Sequence, residues 1–298
     1  MTHFQIHLAI ICIINLFFAV CGVFLNSMVI LTFVSSINLR NKTCYFMILL
    51  LSCNDLLLSS FVHSDLVHRA IWRLYEDGKR PLNENIVRYI RLILYSNSFI
   101  TLLMMNVERY MALIFPFFHE RSVTKRRLFM VMLVLQMTII SVVVFCFWKK
   151  KDGTFLSIFL LSILLIVMFF VYFKLYKIAR NLQESVVIPS SSESSIDIMK
   201  NKTTLMKVKK TSTCVLAVAC VFICSLPSLI IICLKATFYL KNLNKEMRTV
   251  MHYYDTCLLT INATLNCLIF FWKNNALRSE GIKVLYSFQN VFKRNRKC

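Results

Sequence analysis

Apolar residues in this chain are concentrated in seven long stretches that polar segments separate. Each stretch is long enough for a helix to cross the roughly 30 Å hydrocarbon core of a bilayer. The stretches cover residues 6–33, 46–67, 90–115, 128–148, 155–173, 211–234 and 252–271. Because no water reaches the backbone inside a bilayer, such spans are expected to be α-helices. The pattern therefore predicts an all-α fold: a seven-transmembrane helix bundle in a single domain over residues 1–298.

Two segments outside the spans have distinctive compositions. Residues 181–203 contain a serine cluster and scattered charge, which cannot bury enough surface to fold alone, so we expect a flexible third cytosolic loop. Residues 272–298 follow the last span, and up to residue 288 their apolar positions recur at helical spacing among basic ones. This segment is predicted to form a short amphipathic helix on the inner membrane face, followed by a basic cytosolic tail.

The composition supports a membrane protein and excludes an ordinary soluble domain. The chain is 58% hydrophobic with a mean hydropathy of +0.65. Its net charge of +21 would suggest nucleic acid as a partner of a soluble protein. Here the basic residues lie mainly in alternate connections, as the positive-inside rule describes, so the expected partner is membrane lipid and not nucleic acid. The same rule predicts an extracellular amino terminus.

Polar residues inside the spans are the candidates for function. Glu108, Arg109 and Tyr110 end the third span, where an arginine is costly unless a carboxylate or a partner protein satisfies it. Arg109 could also be an interfacial arginine that reaches toward water. Four further features lie on other spans: Asn26, Leu51-Ser52-x-x-Asp55, Cys224-x-x-Pro227, and Asn262 with Asn266.

These five features, in this order on five spans, resemble the rhodopsin-like (class A) G-protein-coupled receptors. The resemblance implies a plasma-membrane receptor in which an extracellular ligand shifts the helix bundle and activates a heterotrimeric G protein. It implies no cofactor beyond an allosteric sodium ion. The residues that it assigns to the activation switch are Glu108, Arg109, Tyr110, Tyr172, Pro227, Asn266 and Phe270.

Several positions depart from the family pattern. Cys267 stands where the family has proline, Phe270 where it usually has tyrosine, and Ser225 where the sixth span usually has tryptophan. The fifth span lacks its usual proline, and no extracellular disulfide is expected. The missing fifth-span proline, the absent extracellular disulfide and the short second outer loop resemble the branch that contains the melanocortin, lysophospholipid, cannabinoid and adenosine receptors. Thr260 replaces the lysine that attaches retinal and Arg91 the aspartate that binds amines, so neither an opsin nor a monoamine receptor is favoured.

Asp55 is the candidate for a sodium site. Ser98, Asn262 and Asn266 could complete an oxygen-rich pocket around its carboxylate, which suits a hard cation. The pocket could instead hold water, and Asp55 could be a structural residue that bonds to Asn26 or Ser52.

Arg88 and Arg91 are the candidates for ligand binding. They lie one turn apart on the third span and could hold a carboxylate or phosphate, with Asp65, Tyr254 and Asp255 as further polar lining. Alternatively, both arginines simply pair with Asp65 or Glu84 near the interface. The ligand could be a small molecule, a lipid or a peptide.

An enzyme is not expected. The histidines and cysteines lack metal-ligand spacing, and the chain has neither a glycine-rich phosphate loop nor a nucleophile elbow. The alternative function is a small-solute transporter or a channel-like membrane protein, which the charged residues in the second and third spans would fit.

Overall fold

The computed structural model describes residues 2–75, 84–149, 153–187, 213, 215–231, 233–234 and 244–295. Within these ranges the regular structure is helical, and no strand occurs. The helices are α1 (His3–Ser35), α2 (Ile37–Arg40), α3 (Thr43–Tyr75), α4 (Glu84–Ile114), α5 (Pro116–Ser122), α6 (Lys125–Trp148), α7 (Gly153–Val187), α8 (Val215–Ile231), α9 (Lys245–Lys273) and α10 (Asn275–Asn295). Helix α7 continues to Val187, so the first residues of the segment predicted as a loop are helical. The rest of that segment, residues 188–203, lies outside the described residues.

Six of these helices are long and apolar enough to cross a membrane. They are α1, α3, α6 and the apolar parts of α4, α7 and α9. The sixth predicted stretch contains α8, a shorter apolar helix with residues outside the described ranges on both sides. The expectation of an all-α membrane bundle is therefore confirmed, whereas the count of seven spans stays a prediction.

Burial divides the membrane helices into a central and a peripheral group. In the most apolar window of α3, α4 and α9, 50–61% of the residues are buried, against 17–22% in α1, α6 and α7. The exposed residues of the peripheral helices are largely apolar, for example Phe17, Val134 and Phe170. A face of this kind is stable against lipid tails and unstable against water. The three central helices consequently carry most of the buried polar groups.

The chain direction defines two ends of the bundle. Helix α4 begins near Arg91 and finishes near Arg109, and we refer to the Arg91 end and the Arg109 end accordingly. Helix α1 starts at the Arg91 end, where His7 Nδ1 lies 3.3 Å from the Tyr254 hydroxyl of α9. Helix α10 follows α9 at the Arg109 end.

Helix α10, in the position of the predicted amphipathic helix, is fixed to the bundle at its beginning. The Asn274 side chain caps it by accepting a hydrogen bond from the Leu277 backbone N–H at 3.2 Å. A Cβ on Gly281 would lie 2.8 Å from the Phe271 ring and 3.4 Å from Thr32 Oγ1. Because glycine has no side chain there, α10 can pack closely against α9 and α1.

Candidate functional site

Three groups of buried polar side chains lie at different levels along α4. Arg91 marks one end, Ser98 the middle and Glu108 with Arg109 the other end, and all three levels receive side chains from other helices. Arg91 and Arg109 are eighteen residues apart, about 27 Å at 1.5 Å per residue. A ligand at one end therefore cannot touch the other end directly.

At the Arg109 end, one buried carboxylate contacts an arginine and a histidine. Glu108 Oε2 lies 3.0 Å from Arg109 Nε, and Glu108 Oε1 lies 2.9 Å from His119 Nε2. The Glu108 side chain is 2% exposed and that of Arg109 11%, so water screens this pair weakly. His119 belongs to α5, whose start at Pro116 suits the first turn of a helix. The arrangement ties α5 to the end of α4.

The other predicted switch residues lie on α4, α7, α8 and α9. The Tyr172 ring of α7 stacks on Tyr176 with 6.2 Å between the ring centroids. Phe270 of α9 is buried in the larger apolar core, whereas Pro227 in α8 and Tyr110 in α4 are partly exposed. Pro227 precedes Ser228, whose hydroxyl donates to the Asp255 carbonyl at 3.3 Å, so Pro227 lies toward the Arg91 end and not beside the ion pair.

In the middle of the bundle, Asp55 joins three helices. Its Oδ1 accepts a hydrogen bond from Ser98 Oγ at 2.7 Å, and its Oδ2 accepts one from Asn266 Nδ2 at 3.0 Å. The sequence-based grouping of Asp55, Ser98 and Asn266 is therefore present as direct contacts between α3, α4 and α9. Asp55 is fully buried, so the two bonds offset part of the loss of water around its carboxylate.

Two further oxygens support a cation site at this level. Asn266 Oδ1 and Asn262 Oδ1 are buried and have no hydrogen-bond partner in the described part of the chain. Carboxylate and amide oxygens are ligands that hard cations prefer. The donor set therefore fits sodium, with Asp55 supplying the charge. Asn262 is one turn before Asn266 on α9, and among the described residues its side chain makes no bond to Asp55.

Cys267 replaces the family's proline and connects α9 to two helices. Its Sγ donates to Asn26 Oδ1 of α1 at 2.7 Å and lies 3.9 Å from Ser52 Oγ of α3. Asn26 in turn donates to the Gly22 carbonyl of its own helix at 2.9 Å. Cysteine also keeps the backbone N–H that proline lacks. Asn26 and Ser52 accordingly have partners other than Asp55.

At the Arg91 end, α4, α7 and α9 surround a cleft of about 630 Å³, counted with its open mouth. Most of this volume is open solvent: the space that a water-sized sphere can enter is about 100 Å³. Three predicted ligand-binding residues line it, namely Arg88, Arg91 and Asp255. The remaining lining is Leu92, Tyr95, Ser96, Phe99, Leu160, Leu161, Leu164, His252, Thr256 and Leu259. The cleft thus combines charged groups with an extensive apolar wall.

Arg91 is buried in this cleft with little compensation from the protein. The residue is 5% exposed, and in the described part of the chain its guanidinium makes one hydrogen bond, from Nη1 to Thr256 Oγ1 at 3.4 Å. A guanidinium has five N–H donors. The Thr256 hydroxyl itself donates to the His252 carbonyl at 2.9 Å. Most of the Arg91 donors therefore have no hydrogen-bond partner among the described residues.

The other two predicted ligand-binding residues engage different partners. Asp65 Oδ1 accepts a hydrogen bond from Arg69 Nε of the same helix at 2.9 Å, and Arg91 forms no ion pair with Asp65. Tyr254 contacts His7 of α1 and is not among the residues that line the cleft in the described ranges. The Glu84 side chain, the other proposed partner of the arginines, lies outside the described residues.

Sequence reasoning missed two groups in these sites. The first is His119, whose contact with Glu108 depends on the path of the chain after Pro116. The second is the Tyr95 hydroxyl with its two partners on α9: it lies 2.7 Å from Thr260 Oγ1 and 3.2 Å from the Thr256 carbonyl oxygen. A tyrosine one turn after Arg91 on the same face was the available signal, because residues four apart on a helix are neighbours.

The fold and the buried polar groups define the chain as an all-α protein embedded in a membrane by several apolar helices. A search of protein-family models and a search of curated proteins find no match to the sequence.

Proposed function

We propose that this protein is a rhodopsin-like G-protein-coupled receptor of the plasma membrane, with its amino terminus outside the cell. The cleft at the Arg91 end binds the ligand, and the Arg109 end faces the cytosol and meets a heterotrimeric G protein. The observation that carries the proposal is the buried Glu108–Arg109 ion pair, on the same helix as the cleft and about 27 Å from it.

The ion pair suits a two-state element. In the resting state Arg109 is held by Glu108, and Glu108 is held in turn by His119. When the helices separate at this end, the pair opens and the guanidinium becomes accessible to groups of a partner. A ligand shifts this equilibrium only by binding one state better than the other, and such coupling typically amounts to about 1–3 kcal/mol.

The Asp55 cluster lies between the two ends and connects the central helices. We propose that it binds sodium through Asp55, Ser98, Asn262 and Asn266 and thereby favours the resting state. Its support is the fit of four oxygen-bearing side chains, two of which have amide oxygens without a partner among the described residues.

A small-solute transporter is the second candidate, because a buried carboxylate at Asp55 and a buried cation at Arg91 also occur along solute pathways. Nucleotide exchange on G proteins, measured in cells or membranes that contain the full chain, tests the first proposal. Solute flux into vesicles with the purified protein tests the second. Exchange above that of vector-only membranes supports a receptor, whereas flux without exchange at verified surface expression would replace it by a transporter.

A further inference from the structure

Arg91 is the one described side chain of the cleft that combines near-complete burial, a permanent charge and a single weak hydrogen bond. A buried charge is destabilising unless it is paired and hydrogen-bonded. Its remaining N–H donors have no hydrogen-bond partner among the described residues, and the residue lines the cleft. Among the described residues no carboxylate forms an ion pair with this guanidinium, so the acid group of a ligand would give it one.

The charges around the cleft favour an anion over a cation. Two guanidiniums, of Arg88 and Arg91, and one carboxylate, of Asp255, line it, which leaves a formal excess of one positive charge. Arg88 is exposed near the mouth and Arg91 is buried deeper, one turn further along α4. An entering anion would therefore meet Arg88 before Arg91, whereas a cation would meet like charge at both positions.

The wall opposite the arginines is apolar. Leu160, Leu161 and Leu164 of α7 line the cleft and contribute no polar side-chain atom. A hydrated inorganic anion would leave these leucines without a contact. A ligand that carries an apolar body beside its acid group would cover them and remove apolar surface from water.

We propose that the cleft binds an amphiphilic organic acid. Its carboxylate or phosphate oxygens accept hydrogen bonds from Arg91, and its apolar body lies against the three leucines of α7. A planar guanidinium binds either oxyanion through two parallel hydrogen bonds. The proposal rests on the receptor function in taking this cleft as the ligand site, and it adds the chemical class of the ligand.

The test is thermal unfolding of the full chain in lipid nanodiscs with four probes that share a ten-carbon chain. Decanoate and decyl phosphate carry an oxyanion, decanol carries no charge, and decyltrimethylammonium carries a cation. We expect the two oxyanions to raise the unfolding temperature in a saturable manner and the other two to leave it unchanged. The larger shift of the first two identifies the head group. Acetate should have no effect, because it cannot reach the leucines.

The variant Arg91→Gln should weaken binding of the oxyanion probes at least about tenfold, since it removes a charge-assisted contact. The matched control is Arg73→Gln, which removes the same charge at the same end; Arg73 contacts Thr249 and the Tyr253 ring and does not line the cleft. The control should bind like the unmodified protein.

The proposal would be overturned if decanol stabilised the protein as much as the oxyanion probes did, or if decyltrimethylammonium stabilised it more. It would also be overturned if Arg91→Gln and Arg73→Gln bound the oxyanion probes equally well. The comparison of the four probes uses the unmodified protein, so it tests the proposal even if Arg91→Gln fails to fold. No G protein enters this assay. Oxyanion binding without nucleotide exchange would refute the receptor and keep the ligand class, and the reverse result would refute only the ligand class.

Discussion

Arg91 and Arg109, toward opposite ends of α4, differ in the partners that the described residues provide for them. Arg109 has a carboxylate 3.0 Å away, and the His119 ring of another helix also contacts that carboxylate, at 2.9 Å. Arg91 is at least as deeply buried, yet it makes no ion pair and one hydrogen bond of 3.4 Å in the described part of the chain. We propose that Arg109, which pairs with a carboxylate of the protein, stabilises the resting state. We propose that Arg91, which has no ion pair among the described residues, binds the ligand.

The largest expected effect comes from removing the internal partner of Arg109. Glu108→Gln should raise basal nucleotide exchange about tenfold or more, because loss of one partner of a buried ion pair costs about 3–5 kcal/mol and each 1.4 kcal/mol is tenfold. Exchange without ligand in membranes is the measurement. The matched control is Glu184→Gln, in an exposed pair with Arg180, which should leave basal exchange unchanged. If Glu108→Gln reached the surface at normal levels without raising basal nucleotide exchange, the ion pair would not stabilise the resting state.

The second prediction contrasts the two arginines in stability. Without ligand, Arg91→Gln should raise the unfolding temperature by about 2 °C or more, because it removes an unpaired buried charge. Arg109→Gln should lower it, because it leaves the Glu108 carboxylate with a weaker partner. Both are measured as unfolding midpoints in nanodiscs. A change of the same sign for both variants would abolish the distinction between the two sites.

The third prediction concerns the level between the arginines. Sodium should raise the unfolding temperature of the unmodified protein relative to potassium at equal ionic strength, and Asp55→Asn should remove that difference. The reason is that Asp55 provides the only formal negative charge of the proposed site. Surface expression should hold, because neutralising a membrane carboxylate relieves about 2.5–3.5 kcal/mol on insertion scales. Undiminished sodium dependence in Asp55→Asn would remove Asp55 from the mechanism.

The smallest effect is expected at Cys267. Cys267→Ala should lower the free energy of unfolding by about 1 kcal/mol, because the Asn26 oxygen loses its donor from α9. Cys267→Ser keeps a donor of similar size and should be closer to the unmodified protein. Denaturant titration of the detergent-solubilised protein compares the two. If both variants were equally unstable, the contact with Asn26 would not explain the cysteine.

The elements and contacts that sequence reasoning reached are those set by local periodicity. The apolar stretches predicted the long helices, and the polar residues of the motif pattern predicted the grouping of Ser98 and Asn266 with Asp55, which the structure shows as direct contacts. The contacts that the sequence did not predict depend on how each helix is rotated about its axis and on the path of the connecting segments. Tyr254 and Asp255 are adjacent, but neighbours on a helix point about 100° apart. Only Asp255 lines the cleft, while Tyr254 meets His7.

The same limits explain the remaining differences. His119 reaches Glu108 because α5 turns back toward α4, which no pattern within residues 116–122 indicates. Asp65 bonds to Arg69, one turn away on its own helix. The sequence alone could not distinguish this pair from a pair of Asp65 with Arg88 or Arg91.

The most direct test of the account is Arg109→Ala, measured in parallel for nucleotide exchange and for binding of the decanoate probe. We expect exchange on the G protein to be lost, because the guanidinium that would meet the partner is gone. Probe binding should change no more than a few-fold, because Arg91 lies about 27 Å away and only helix movement couples the two ends. An Arg109→Ala protein that reaches the surface and still drives normal exchange would contradict both the role of Arg109 and the assignment of the chain as a receptor.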